Sequence, residues 1–353
     1  MDANFWVGKK VFVTGHTGFK GGWLCLWLKG LGAKVFGYAL SPPTTPSFFD
    51  VCGIEQLLDG HTIGDIRDLG TLKSAMASVM PDIVFHLAAQ PLVRRSYNAP
   101  IETYQTNVIG TVNVLEAVRA VPSVVAIVSV TTDKCYENRE WIWPYREDEA
   151  LGGYDPYSSS KACAELVTSA YRRSFLKKDG KWVASARAGN VIGGGDWAED
   201  RLVPDFFRAT DAGRPLIVRS PSAIRPWQHV LEPLSGYIAL AESLCRYGTE
   251  AAEAWNFGPT EAGTRTVQWI LEWMCEHMPG ASWKHIVTSQ PHEAGTLKLD
   301  IAKAAARLHW SPRWNIEMTL KKTIDWHLAW KKGENMRQTS LQQIADYDTV
   351  LPV

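Results

Sequence analysis

The segment that most constrains the fold is a glycine-rich turn near the start of the chain, residues 14–21, which reads Thr-Gly-His-Thr-Gly-Phe-Lys-Gly. It follows a short apolar stretch that predicts a buried strand, Lys10–Thr14, and it precedes one that predicts a helix, Gly22–Leu31. Glycines three residues apart allow a tight turn and a close approach to a pyrophosphate, which the N–H groups at the positive helix end can bind. This strand–turn–helix context therefore predicts a dinucleotide site. Its predicted residues are Gly15, His16, Thr17, Gly18, Phe19 and Gly21.

The rest of the first half alternates between strand and helix patterns. Continuous apolar runs predict strands, and periodic apolar positions predict the helices between them. The strands are expected at Lys34–Leu40, Ile83–Ala89, Val124–Val130 and Val183–Ala188, and the helices at Glu102–Val118 and Tyr157–Arg173. Strands that are apolar on both faces and alternate with helices indicate an α/β fold of the Rossmann type, with a doubly wound parallel sheet.

The pattern changes near residue 190, where three glycines (residues 193–195) and several prolines interrupt the alternation. Helices are still predicted at Glu232–Tyr247 and Thr266–Met278, and strands at Leu216–Val218 and Ala254–Phe257. We therefore expect a dinucleotide-binding domain, residues 1–189, and a smaller, irregular α/β substrate-binding lobe, residues 190–353. Some late strands and helices are expected to return to the main domain.

The composition excludes several classes of function. The 353 residues include 37 basic and 37 acidic residues, and a net charge of zero argues against nucleic acid or an anionic membrane as a partner. No apolar run is long enough to span a bilayer, and residues 1–10 lack the apolar core of a secretory signal. The six cysteines are scattered, as in reduced cytoplasmic proteins, and no Cys/His cluster predicts a metal site.

A tyrosine and a lysine on the third predicted helix, Tyr157–Arg173, indicate acid–base chemistry. Tyr157 and Lys161 are four residues apart and therefore share one helix face. A lysine ammonium beside a tyrosine can lower the pKa of the phenol, which gives a base that works near neutral pH. The preceding run Thr131–Lys134 adds hydroxyl, carboxyl and amine groups. These are more groups than an alcohol oxidation needs, which indicates a second reaction after the first.

The second predicted strand does not decide between NAD and NADP. The segment Tyr38–Ser41 has neither the acid that would hold the ribose hydroxyls of NAD nor an arginine for a 2′-phosphate. Further along, Asp65 could accept a hydrogen bond from the adenine amino group, and Ile66 could pack on its ring. Asp65 could instead begin a helix, and both alternatives stay open.

Several segments together resemble the extended short-chain dehydrogenase/reductase superfamily over roughly residues 10–310. They are the glycine-rich turn, His86–Ala89, Thr106–Thr111, the pair Tyr157-x-x-x-Lys161 and Arg225–Val230. The Thr-Asp-Lys run resembles the nucleotide-sugar 4,6-dehydratases, because sugar epimerases usually carry serines there and the dTDP-glucose enzymes carry Thr-Asp-Glu. Lys134, with residues 90–94, 193–197 and 224–229, is similar to the members of that family that act on CDP-glucose.

The resemblance implies NAD as cofactor and a hydro-lyase reaction that converts CDP-D-glucose to CDP-4-keto-6-deoxy-D-glucose, in deoxysugar biosynthesis of the O-antigen (lipopolysaccharide) type. Tyr157 would take the proton of the 4-hydroxyl, oriented by Thr132, while Lys161 holds the nicotinamide ribose. Asp133 would then protonate the leaving 6-hydroxyl, and Lys134 would remove the proton at carbon 5. Asp133 must therefore be protonated, which burial favours, and Lys134 must be neutral.

Further binding residues follow from the resemblance. Arginines can bind a diphosphate bidentately, and Asn190 follows a predicted strand at the edge where ligands bind in such sheets. The cofactor would also contact Leu87, Ala88 and Ala89, and the substrate Gln90, Asn190, Arg201, Arg225 and His292. Asn107 is expected to have a structural role inside its helix. The base preference rests on the resemblance alone.

Alternatives stay open within and outside this class. Another nucleotide-sugar 4,6-dehydratase or a 4-epimerase would share most of these motifs. A non-catalytic dinucleotide sensor would share the fold, although such proteins often lose the Tyr or the Lys. The helices that carry Asn107 and Tyr157 resemble those of a four-helix dimer contact in this superfamily, which implies a homodimer or a higher even oligomer.

Overall fold

The structure, a computed structural model, describes residues 2–287 and 295–351. The strands are β1 (Lys10–Thr14), β2 (Lys34–Ala39), β3 (Gly60–Ile63), β4 (Ile83–His86), β5 (Ala126–Val130), β6 (Trp182–Ala188), β7 (Val191–Ile192), β8 (Leu216–Val218), β9 (Ile224–Pro226), β10 (Gln228–His229), β11 (Ala254–Phe257), β12 (Thr264–Thr266) and β13 (Trp283–His285). The helices are α1 (Ala3–Trp6), α2 (Phe19–Gly30), α3 (Phe48–Val51), α4 (Leu69–Val79), α5 (Val93–Asn98), α6 (Pro100–Tyr104), α7 (Gly110–Ala120), α8 (Pro156–Ser174), α9 (Leu202–Asp211), α10 (Leu231–Tyr247), α11 (Val267–His277), α12 (Ala302–Leu308), α13 (Ile316–Lys331) and α14 (Met336–Thr349).

The central sheet is parallel and, within the described residues, has seven strands in the order β11-β6-β5-β4-β1-β2-β3. The predicted Rossmann-type α/β fold is confirmed. The chain order reverses beside β1, whose last residue, Thr14, lies opposite Tyr38 of β2 and His86 of β4. The carboxyl ends of these strands therefore meet at one edge, where open α/β sheets bind their ligands.

The second half of the chain contributes both to this sheet and to small separate sheets. Strand β11 pairs with β6 and extends the central sheet. The other late strands form small two-stranded sheets, β10-β7, β12-β9 and β13-β8. The glycine run at residues 193–195 passes beneath aromatic rings, since a Cβ on Gly194 would lie 2.0 Å from Trp326 and one on Gly195 would lie 2.5 Å from Phe48.

Several predicted boundaries were wrong for local reasons. Helix α2 begins at Phe19 rather than at Gly22, because Gly18 is extended and Gly21 lies so close to the turn that a Cβ would meet the Gly15 carbonyl at 2.1 Å. The helix predicted over residues 102–118 is divided by a wider π-helical segment, Gln105–Ile109. Strand β3 escaped prediction because it is a short edge strand that is nowhere fully buried.

Apolar side chains cover both faces of the sheet. One face packs on residues of α2 and α10, including Trp23, Trp27 and Leu234, and the other on residues of α4 and α7, including Met76 and Leu115. This layering matches the doubly wound arrangement expected from the sequence. None of the described helices is both long and apolar enough to cross a membrane.

Candidate active site

The glycine-rich turn forms a cradle against the loop after β4. Gly15 has a φ of +80°, and a Cβ there would lie 2.7 Å from the Ala88 amide nitrogen. Ala88 N–H donates to the Thr14 hydroxyl at 3.3 Å, which holds the two segments together. Helix α2 starts at the turn, and no side chain caps it at Gly18. Only glycine allows the turn to pack this closely on the loop after β4, and the positive helix end that follows fits the pyrophosphate of NAD.

Two side chains of the turn point into the protein. The His16 ring packs against Gly37, where a Cβ would come within 2.4 Å, and its Nε2 lies 3.4 Å from Nδ1 of His61. Burial, and then the nearby His61, lower the pKa of His16 to about 4, so the ring is neutral. Thr17 donates to the Leu40 carbonyl at 2.8 Å. We therefore expect these residues to contact a cofactor mainly through their backbone.

Asp65 and Ile66, the residues predicted to contact adenine, lie in a hydrogen-bonded turn. The Asp65 carboxylate accepts from the Arg67 backbone N–H at 2.8 Å and from its guanidinium at 2.8 and 2.5 Å. Asp65 does not begin the following helix, because Asp68 caps α4. Ile66 is buried in the core, close to Gly110.

The acid–base run lies in a tight turn after β5, residues 131–136, called here the catalytic turn. The Thr132 hydroxyl donates to Asp133 Oδ1 at 3.0 Å and accepts from the Lys134 backbone N–H at 3.3 Å. Asp133 is 1% exposed, and its Oδ2 has no hydrogen-bond partner among the described groups. Burial raises the pKa of Asp133, which favours the protonated form. A Cβ on Gly189 would lie 3.0 Å from Oδ2, so glycine leaves room for this carboxyl group.

Helix α8 brings Tyr157 and Lys161 to the same place. Its first turn is capped by Asp155 and begins with Pro156. Lys161 Nζ donates to the Val130 carbonyl at 3.2 Å, and burial lowers the pKa of Lys161 to about 8. Burial also raises the pKa of Tyr157 to about 12. A hydrogen bond with the Thr132 hydroxyl lowers this pKa but does not offset the effect of burial. The sequence predicted that Lys161 lowers the pKa of Tyr157. Among the protein's own groups this prediction is wrong, because desolvation has a larger effect on the pKa than the neighbouring charges.

Two predicted arginines of the lobe lie near these groups. Arg201 precedes α9, and its Nη1 is 2.9 Å from Asp196 Oδ2; its charge lowers the pKa of Tyr157. Arg225 is buried, donates from Nη1 to the Gly295 carbonyl at 3.1 Å, and lowers the pKa of Asp133. Both guanidinium groups thus contribute positive charge to the site.

The other predicted substrate residues differ in their surroundings. Asn190 follows β6 at the carboxyl edge of the sheet. Gln90 is buried, and its side chain is bound to Leu92 and Thr103, so the loop already uses it. Asn107 ties the Gln90 backbone to the Ser160 hydroxyl of α8, as expected of a structural residue. His292 lies outside the described residues.

The sequence did not indicate some charged groups of the site. Lys20 lies in the first turn of α2; burial, together with the charges of Arg201 and Lys161, lowers its pKa to about 7. Asp196 anchors Arg201, and the buried pair Glu165–Arg187 lies behind the catalytic turn. Only Lys20 had a signal in the sequence, as a charge inside the glycine motif. Within the described ranges, no group of three or more His, Cys, Asp or Glu residues is arranged to hold a metal ion.

Comparison with known proteins agrees with this arrangement. Residues 12–323 match the family model described as GDP-mannose 4,6 dehydratase. The chain belongs to this family. It is 54% identical to a CDP-glucose 4,6-dehydratase of Salmonella typhimurium, over 98% of each chain. The predicted nucleotide-sugar 4,6-dehydratase family is confirmed.

A more distant relative and a solved structure are also similar to this chain. A dTDP-glucose 4,6-dehydratase of Xanthomonas campestris is 27% identical, over 91% of this chain and 94% of that protein. The crystal structure of a dTDP-glucose 4,6-dehydratase of Bacillus anthracis in complex with NAD has a similar fold, with a TM-score of 0.77 and 21% identity. That match covers 94% of this chain and 100% of the other.

Proposed function

We propose that the protein converts CDP-D-glucose to CDP-4-keto-6-deoxy-D-glucose and water. The observation that carries the proposal is the 54% identity to a CDP-glucose 4,6-dehydratase along almost the whole chain. The buried acid Asp133, next to Lys134 and facing Tyr157, supports the same reaction, because an elimination needs an acid and a base beside the oxidation site.

The cofactor is NAD, held by the glycine-rich turn and residues 87–89. When bound, it supplies the hydride acceptor at carbon 4 of the sugar and the hydride donor at carbon 6. Gly15 lets the turn pack on the Ala88 backbone, and the uncapped helix end supplies N–H groups for the pyrophosphate. Lys161 would hold the nicotinamide ribose.

Oxidation depends on helix α8. Tyr157 takes the proton of the 4-hydroxyl as the hydride leaves carbon 4, and Thr132 orients the same oxygen. The tyrosinate needs nearby positive charge, because burial raises the pKa of Tyr157 to about 12. Arg201 supplies part of this charge, and the 4-keto sugar is the result.

Elimination depends on the catalytic turn. The ketone acidifies carbon 5, so Lys134 can take its proton while Asp133 protonates the leaving 6-hydroxyl, which departs as water. Hydride then reaches carbon 6, and Lys134 returns its proton to carbon 5. The burial of Asp133 supports its role as the acid, since the raised pKa keeps its proton in place. The substrate diphosphate is bound by Arg201, Arg225 and Asn190.

The reaction can be tested by incubating the protein with NAD and, separately, with the glucose derivatives of CDP, dTDP, GDP and UDP. Mass spectrometry follows the loss of one water. Loss from CDP-glucose alone, with no net reduced nicotinamide, is the expected result. Loss only from another sugar nucleotide would contradict the proposed base. An unchanged mass with altered stereochemistry would indicate an epimerase, and no change at all would indicate a sensor.

The proposal includes an even homo-oligomer. Apolar side chains are exposed on the helices near the site, with exposed fractions of 73% for Ile101, 52% for Ile109 and 59% for Leu166. These residues belong to α6, the following helical segment and α8, so two copies could pack as four helices. Light scattering should show dissociation for Leu166→Asp but not for Ile217→Asp, where the original residue is an exposed apolar side chain of β8.

We also propose that the protein acts in the cytoplasm, in deoxysugar biosynthesis for lipopolysaccharide. The six unpaired cysteines support the cytoplasmic location.

A further inference from the structure

A buried ion pair lies behind the catalytic groups, and the proposed mechanism does not use it. Glu165 lies on α8 one helical turn after Lys161, and Arg187 lies on β6. Arg187 Nη2 is 2.9 Å from Glu165 Oε2, and the two side chains are 4% and 3% exposed. Burying two charges is costly unless hydrogen bonds satisfy their remaining groups, so the partners of the pair indicate what it holds.

These partners include both ends of the catalytic turn. At its start, the Thr131 hydroxyl donates to Glu165 Oε1 at 2.5 Å. At its end, the Tyr136 hydroxyl accepts from Arg187 Nη1 at 2.8 Å and donates to Asn256 Oδ1 at 2.7 Å. The guanidinium also lies 4.9 Å from the centre of the Tyr136 ring. The same ion pair thus contacts the turn on either side of Asp133 and Lys134.

The internal hydrogen bonds of the turn are weak, although backbone bonds at 2.9 Å, from Thr131 N–H to the Ala186 carbonyl and from Gly152 N–H to the Cys135 carbonyl, tie it to β6 and to the segment before α8. Its own backbone hydrogen bonds, from Cys135 N–H to the Thr132 carbonyl and from Tyr136 N–H to the Asp133 carbonyl, are both 3.4 Å long. Such distances exceed the usual range for N–H···O bonds. These backbone bonds hold the turn at Thr131 and Cys135, and side chains that connect it to neighbouring elements add to them.

We infer that the Glu165–Arg187 pair is a positioning device that locks the catalytic turn onto helix α8. Asp133 and Lys134 on the turn then keep a fixed position relative to Tyr157 and Lys161 on the helix. The inference rests on the proposed function, because it assigns elimination to Asp133 and Lys134 of the turn and proton removal in the oxidation to Tyr157 of the helix, with Thr132 only orienting the sugar oxygen. A displacement of about 1 Å can cost roughly 100-fold in rate, so loosening either contact should slow elimination more than oxidation.

Thr131→Val is the first test, because it removes the hydroxyl that contacts Glu165 but keeps the size of the side chain. With NAD and CDP-glucose we expect kcat to fall about 10- to 100-fold with KM changed less than about 2-fold, and reduced nicotinamide to accumulate during turnover. A protein that was merely destabilised would not accumulate it. Thr131→Ser keeps the hydroxyl and should restore kcat. Tyr136→Phe, which removes the contact at the other end of the turn, should also accumulate reduced nicotinamide.

Ser185→Ala is the matched control. Ser185 Oγ donates to the same Glu165 carboxylate at 2.6 Å, but from β6, and it has no hydrogen bond to the turn among the described residues. Its kcat should stay within about 3-fold of wild type. Equal losses in Thr131→Val and Ser185→Ala, or no accumulation in either Thr131→Val or Tyr136→Phe, would overturn the inference. Failure of the wild type to dehydrate CDP-glucose would instead overturn the proposed function.

Discussion

Helix α8 and the catalytic turn face each other across the site but hold their functional groups in different ways. The helix is 19 residues long, and its regular backbone places Tyr157 and Lys161 on one face. The helical part of the turn is three residues long, Asp133–Cys135, and it is anchored by side chains of other elements. Local geometry thus supports the proposed oxidation, whereas tertiary contacts support the proposed elimination.

This difference predicts that removing the helix's acid–base group has the largest effect. Tyr157→Phe should lower kcat by about 10²- to 10⁴-fold, because no later step can begin without the oxidation. Neither reduced nicotinamide nor dehydrated sugar should form, which absorbance and mass spectrometry can follow. Tyr154→Phe, a change at an exposed tyrosine ahead of the same helix, should leave turnover near wild type. Reduced nicotinamide in Tyr157→Phe would show that oxidation does not need this hydroxyl.

Removing the lysine of the catalytic turn should have a different effect from removing the Tyr157 hydroxyl. Lys134→Ala is expected to keep hydride transfer but to slow product formation by about 10²- to 10⁴-fold, because the proton at carbon 5 loses its base. Reduced nicotinamide and the 4-keto sugar should therefore accumulate together. Lys178→Ala, on the exposed surface beyond α8, serves as the control. Full product formation in Lys134→Ala would remove this residue from the mechanism.

The same contrast explains what could be predicted from the sequence. Groups close together in the chain, such as the glycines of the turn or Tyr157 and Lys161, were predictable because one local element positions them. Glu165 and Arg187 are 22 residues apart on a helix and a strand, and no local pattern indicates that they meet. The orientation of the His16 ring depends on a glycine in the next strand, Gly37, and could not be predicted either.

The pKa prediction failed for a related reason. Sequence spacing indicates that Lys161 is near Tyr157, but it gives no measure of burial. In the structure burial raises the pKa of Tyr157 to about 12, and Lys161 donates to the Val130 carbonyl. For Asp133 the expected direction agrees with the structure, because burial is the largest influence on its pKa as well.

Asp133→Asn separates the chemical role of the turn from its effect on stability. Burial raises the pKa of Asp133, so the folded protein binds more protons than the unfolded chain above the ordinary aspartate pKa of about 3.9. Stability contributed by this group therefore falls as pH rises, and asparagine avoids that loss. We expect the melting temperature of Asp133→Asn to exceed that of wild type at about pH 8, with a smaller difference near pH 4, while dehydration is lost. An equal difference at both pH values would contradict the raised pKa.

The smallest expected effect concerns the start of α8. Asp155 caps this helix by accepting from the Ser158 backbone N–H at 2.9 Å and from its hydroxyl at 2.6 Å. Asp155→Ala should lower the free energy of unfolding by about 1 kcal/mol. It should also reduce the oxidation rate, because the frayed turn carries Tyr157, which lies two residues after the cap.

Asp68 offers a matched comparison, since it caps α4 in the same way, through the backbone N–H of Thr71 at 3.1 Å and its hydroxyl at 2.6 Å. Asp68→Ala should lose similar stability without slowing oxidation. Urea unfolding and the single-turnover formation of reduced nicotinamide measure the two quantities. If both variants oxidise the sugar at the wild-type rate, the cap does not orient Tyr157. The helix would then depend on packing from other elements, as the catalytic turn does, and the contrast between the two would disappear.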